Sequence, residues 1–266
     1  MNNIVFGKYI PLDTPIHRLD PRAKILAMLI ALVAIFIPAG WYGYGIIAVV
    51  ILFVIHLSKI KLKVIFKAFK PMIFMMCFLL VINVLSVKEG TLLLDLGFLE
   101  IYSKAIIDTL YIIVRLLLMI MITTILTMTT KPLDLTLGIE YLLTPFKKIG
   151  VPAHEIAMII SIALRFIPTI IEETMRIMNS QKSRGVDFEE GKLKEKISAI
   201  ISLIVPLFSV SLLRADELAN AMEARGYVPQ APRTRYRRLK YERRDLILVI
   251  GAFLLLALMI TLAIVI

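Results

Sequence analysis

The sequence predicts an all-α, polytopic membrane protein with about five transmembrane helices and a separate block of long helices. Three observations carry this. Hydrophobic residues make up 59% of the 266 positions. Several apolar runs approach the ~20 residues that cross a bilayer as a helix. Most of the +11 net charge sits in short loops beside those runs, where positive charge sets topology and meets anionic lipid. The basic balance is therefore assigned to the lipid bilayer, with no nucleic acid as partner. The single cysteine, Cys77, lies inside an apolar run. It excludes an intrachain disulfide framework and reads as a buried, inert thiol.

Residues 1–24 are polar and turn-rich, and place Arg18, Arg22 and Lys24 ahead of the first apolar run. That run reads as a retained first span, because no small-x-small cleavage pattern follows it. Residues 25–39 and 46–57 are apolar and are separated by Gly40-Trp41-Tyr42-Gly43-Tyr44-Gly45. One helix over 25–57 would be ~50 Å long against a ~30 Å hydrocarbon core. The aromatic-glycine stretch is therefore expected to form a hairpin at the outer interface, where Trp and Tyr concentrate. Lys59, Lys61, Lys63, Lys67 and Lys70 form an acid-free loop on the cytoplasmic side. Residues 72–87 cross outward, 88–104 are external, and 105–128 cross back. Residues 246–266 form the last span, with Arg233, Arg235, Arg237, Arg238, Lys240, Arg243 and Arg244 on its inner flank. The N-terminus is then cytoplasmic in a multi-pass protein of the cell membrane.

The chain divides into a membrane domain of about four spans (1–130), a module of long helices (131–240) and a C-terminal transmembrane helix (241–266). Pro132, Pro145, Gly150 and Pro152 punctuate a short helix at about 133–149. Long helices are expected at about 153–184 and 192–225, each reaching ~45–50 Å. Residues 156–171 and 197–213 are apolar enough for further spans. Arg165, Pro168 and Pro206 count against that, and hydropathy alone leaves the question open.

Both long helices end alike, at Ser183-Arg184-Gly185 and at Ala224-Arg225-Gly226. Helix termination explains the glycines, and a cation in the last turn suits the helix dipole. The facing of the arginines adds something further. Leu218, Met222 and Arg225 share one face by helical spacing, and Ile170, Ile177 and Arg184 recur at intervals of seven. Each cation thus ends an apolar ridge, which suits insertion into a groove that ends in acid. Such a pair reads as a coupling part and not a catalyst.

With these tips the chain resembles the T component of energy-coupling factor transporters, the membrane coupling subunit of a vitamin-importing ABC system. That family carries two Ala-Arg-Gly tips on cytoplasmic coupling helices. Ala224-Arg225-Gly226 matches fully, and Ser183 takes the alanine place at the first tip. Further matching stretches are Pro15-Ile16-His17-Arg18-Leu19-Asp20-Pro21-Arg22, Thr130-Lys131-Pro132, and Leu164-Arg165-Phe166-Ile167-Pro168 with Glu172 following. The resemblance implies that 131–240 is cytoplasmic or interfacial. It implies two ABC-type ATPase partners docked on Arg184 and Arg225, and a small substrate-binding membrane subunit. It also implies no cofactor in this chain, ATP and Mg being bound by the ATPases. The cargo would then be read by another chain.

Other charges have plainer readings. Asp108 and Arg115 share a face of the 105–128 span, where an intramembrane charge is a functional candidate by default. An arginine that fixes helix packing is the favoured reading. Arg165 and Glu172 are expected to form a polar tie at a proline bend. His17, His56 and His154 lack metal-ligand spacing. Gly185 with Gly191-Lys192 misses the phosphate-loop spacing by one residue, and Leu193 stands where a hydroxyl is needed. The rival reading is a self-contained, ion-coupled secondary transporter using Asp108, Arg115 and Arg165 as a charge path. Against it, internal repeats and matched broken helices are not evident.

Overall fold

The computed structural model describes residues 9–95, 100–150, 152–228 and 239–265. Nine α-helices account for most of these residues, with one two-stranded hairpin. They fall into two compact units, formed by 9–142 with 239–265, and by 143–228.

The first unit is built around α5 (Ser103–Thr129). Against it pack α1 (Pro21–Phe36), α2 (Gly40–Ser58), α3 (Leu62–Phe69) and α4 (Ile73–Ser86). The final helix of the chain, Arg243–Val265, lies along α1 and touches α2. A continuous core runs through Ile35, Ile47, Ile51, Leu118, Ile122, Met128 and Met259. Outside that core the helices present large apolar side chains, among them Val33, Phe53, Phe74, Phe78, Leu110 and Phe253. A helix apolar on its outer face is solvated by lipid.

Several expectations shift. The break between α1 and α2 lies at Ile37–Ala39 and not at Gly40–Gly45, which begin α2. Pro38 disfavours the α conformation of the residue before it, and Ile37 is extended at φ −72°, ψ 128°. Much of the lysine loop is helical, as α3, which a 3₁₀ turn at Lys70–Met72 joins to α4. Between α4 and α5, Leu92–Asp95 and Glu100–Tyr102 pair as an antiparallel hairpin, with Leu92 opposite Tyr102. Beside it Lys104 pairs with Glu89. Cys77 is exposed on α4 and is not buried in the protein.

α6 (Pro132–Leu143) also belongs to the first unit. A Cβ on Gly138 would lie 2.9 Å from Ile25 Cδ1 and 3.2 Å from Pro21 Cβ, so a larger residue would seat against α1 only if both side chains gave way by a few tenths of an ångström.

In the second unit a 3₁₀ turn at Thr144–Ile149 leads to α7 (Ala153–Ser183) and α8 (Leu193–Ala224). Both run unbroken through Pro168 and Pro206, each proline forfeiting one backbone hydrogen bond. The turn between them is well made. Asp187 accepts from the N–H groups of Glu189 (2.8 Å) and Glu190 (3.2 Å), and these bonds hold its carboxyl below the usual carboxylate range. Glu195 accepts from Lys192 N–H at 2.9 Å and caps α8. Few apolar side chains are buried here. Ile159, Ile197, Ile201, Ile204, Phe208 and Leu213 are all exposed. Of the six helices long and apolar enough to cross a membrane among the described residues, two are α7 and α8. Arg233, Arg235, Arg237 and Arg238 lie outside the described residues.

Candidate functional site

The two helix tips have one geometry. At the first, Gln181 C=O accepts from Arg184 N–H and Val186 N–H, both at 3.0 Å, and Lys182 C=O accepts from Gly185 N–H at 3.0 Å. At the second, Met222 C=O accepts from Arg225 N–H (3.2 Å) and Tyr227 N–H (2.9 Å), and Glu223 C=O accepts from Gly226 N–H (2.8 Å). This is the Schellman ending, with arginine at the cap and glycine after it. Gly185 and Gly226 have φ of +87° and +70°. A Cβ at either would meet nothing within 4 Å, so it is the left-handed backbone, not space, that calls for glycine.

The cap uses the backbone of each arginine and nothing of its side chain. Arg184 and Arg225 are exposed, and neither guanidinium makes a hydrogen bond or ion pair among the described residues. Ser183, in contrast, returns its hydroxyl to Asn179 C=O at 3.1 Å. Ile177, Leu218 and Met222 are half-buried on the same helices as the tips. Two free cations are thus fixed at the ends of two rigid helices.

The polar tie expected between Arg165 and Glu172 at the proline bend does not form. Arg165 and Glu172 are both exposed and make no ion pair among the described residues. Glu173 does, with its side chain 15% exposed: it lies 3.4 Å from Arg176 on its own helix and 3.7 Å from Arg214 on α8. Seven-residue spacing brings 165 and 172 to one face but leaves that face outward.

Within α5, Arg115 is held by aromatics and not by Asp108. Its Nε donates to Tyr44 Oη at 2.7 Å, and its guanidinium lies 5.6 Å from the ring centroids of both Phe36 and Tyr111. Tyr111 in turn stacks on Tyr44 and meets Trp41 edge-on. One cation so fastens α1, α2 and α5.

The stretch Pro15–Arg22 builds a second polar cluster at the start of α1. Asp20 caps the helix, accepting from Arg22 N–H at 2.9 Å, and its own N–H donates to Asp245 Oδ1 at 2.7 Å. The Arg22 guanidinium sits 3.5 Å over the Tyr141 ring of α6. His17 Nε2 faces Ile10 C=O at 3.1 Å, so that nitrogen carries the proton, and Nδ1 accepts from Thr14 Oγ1 at 2.6 Å. Lys24, ahead of the apolar run and 6% exposed, donates to His17 C=O (3.2 Å), Thr129 C=O (3.0 Å) and Thr130 Oγ1 (3.3 Å). Burial raises the Asp20 carboxyl and, with the Lys24 charge, lowers His17.

Comparison with known proteins identifies the family. The family model described as cobalt transport protein (CbiQ) matches residues 13–236. The energy-coupling factor transporter transmembrane protein EcfT of Lactococcus lactis subsp. cremoris is 44% identical over 260 residues, covering 98% of both chains. The protein of the same name from Bacillus subtilis is 39% identical over 259 residues, covering 97% of this chain and 98% of that one. That of Streptococcus thermophilus is 44% identical over 251 residues, covering 94% and 95%. The chain belongs to the EcfT family, the transmembrane proteins of energy-coupling factor transporters.

Proposed function

We propose that this chain transmits ATP-driven motion from two ABC-type ATPase subunits to a small membrane subunit that captures a vitamin or other micronutrient. The observation that carries the reading is the pair of matching helix ends, each presenting a guanidinium that its own fold does not use. Arg184 and Arg225 enter one ATPase each, with Ser183-Gly185 and Ala224-Gly226 setting the backbone and Ile177, Leu218 and Met222 supplying apolar contact. ATP and Mg bind to the ATPases, and the chain itself is non-catalytic. The exposed apolar faces of α7 and α8 are covered by the capture subunit and by lipid, since patches of that extent mark interaction surfaces. In this arrangement the N-terminus and the α7–α8 block are cytoplasmic, and the spans are α1, α2, α4, α5 and the final helix, Arg243–Val265. When the ATPases close, their grooves draw on the tips, and the tied helix pair tilts the capture subunit. Coexpression with candidate ATPases and capture proteins tests this. The expected result is a stoichiometric complex with two ATPases that imports only when ATP is hydrolysed. A chain that transports alone, driven by an ion gradient, would overturn it.

A further inference from the structure

Between α2 and α4 stand Lys59, Lys61, Lys63, Lys67 and Lys70, with no acid among them. None of the five makes an ion pair among the described residues. Lys59 sits in the left-handed region at φ +54° and turns the chain out of α2. α3 then sorts its side chains into three sectors. Ile65 is 4% exposed and joins the core against α5, with Val64 packed beside it. Lys63 and Lys67 of α3, and Lys70 where the helix passes into the 3₁₀ turn, follow one another at i, i+4 and i+7 and form a single row. Next to that row Phe66 and Leu62 are 66% and 48% exposed.

Topology needs only the number of positive charges in a loop. It does not need three of them in register on one helix face, beside an exposed phenyl ring. A cationic row flanked by apolar side chains is the pattern of a helix lying in the headgroup layer. Lysines there place ammonium groups on phosphates while their methylene stems and the phenyl ring sit in the acyl boundary.

We infer that α3 is a binding site for anionic phospholipid, with Lys63, Lys67 and Lys70 on the headgroup phosphate and Phe66 and Leu62 against the acyl chains. This goes beyond the coupling role and does not depend on the arginine tips. Each lysine near an anionic surface multiplies affinity by roughly five, so loss of the row weakens binding by an order of magnitude or more.

The test is displacement of a fluorescent phosphatidylglycerol from the full-length chain in neutral detergent, followed by anisotropy. Unlabelled phosphatidylglycerol should compete, and phosphatidylcholine, inorganic phosphate and a polyglutamate peptide should not. K63Q/K67Q/K70Q should lose at least tenfold in affinity, and K63R/K67R/K70R should keep it. Phe66→Ser leaves the charge intact and should also weaken lipid binding severalfold, which keeps the test decisive if the glutamine variant fails to insert. Equal competition by phosphatidylcholine would make the lipid merely annular. Equal competition by phosphate would make the row a free-anion site, and by polyglutamate an acidic-protein site. Any of these, or unchanged affinity in the glutamine or Phe66→Ser variants, overturns the inference.

Discussion

Glu173 of α7 and Arg214 of α8 approach to 3.7 Å at equal remove from the two tips. Arg184 is eleven residues beyond Glu173, and Arg225 is eleven beyond Arg214. At 1.5 Å per residue each tip is about 16 Å from the tie. The chain reverses between the helices, so the tips extend in opposite directions from a shared crossing.

The pair should therefore behave as a unit. Glu173→Gln and Arg214→Gln should each lower uptake in proteoliposomes, and the double variant should do no worse than the poorer single. A third of Arg214 is exposed, so the coupling energy in thermal unfolding should be only ~0.2–1 kcal/mol. Strictly additive effects would show that the contact is incidental.

Reversing both tips, Arg184→Glu with Arg225→Glu, should release the ATPases and abolish import while leaving membrane insertion intact. A charge-assisted contact contributes ~1.5–3 kcal/mol, so each single reversal should weaken ATPase binding by ten- to a hundredfold. Lys182→Glu is the control: that side chain lies 3.7 Å from exposed Glu189, away from the ridge, and its reversal should be mild. Copurification of ATPases with the double variant would reduce the tips to helix caps.

The side of the membrane can be read with a single cysteine. In a Cys77→Ser background, Lys194→Cys should stay unlabelled when an impermeant thiol reagent is added to intact cells, and label promptly in inverted vesicles. Cys77 is exposed on α4, so its replacement disturbs no core. Labelling from outside would place the turn between α7 and α8 across the membrane.

What the sequence reveals and what it hides divide along physical lines. α7 and α8 lie within a residue or so of their expected limits because glycine and proline punctuate them, and local backbone rules govern helix ends. The geometry at Arg184 and Arg225 follows for the same reason. Contacts between distant positions have no such signature. Arg115 meets Tyr44, 71 residues earlier, and Lys24 reaches Thr129, 105 residues later, so neither partner was visible from spacing. α3 was hidden because its lysines dilute the apolar signal that marks a span. The Glu173–Arg214 contact has no signature in the spacing either, because periodicity ranks faces but does not say which one a neighbour covers.

Gly138 has a consequence beyond its own turn. A side chain there would press on Pro21, whose ring cannot turn aside as a flexible side chain does, and Arg22 lies over Tyr141 on the same seam. α6 thus meets α1 at Gly138 and at Tyr141. The chain leaves this mooring through the Thr144–Ile149 3₁₀ turn and Gly150, at φ +91°.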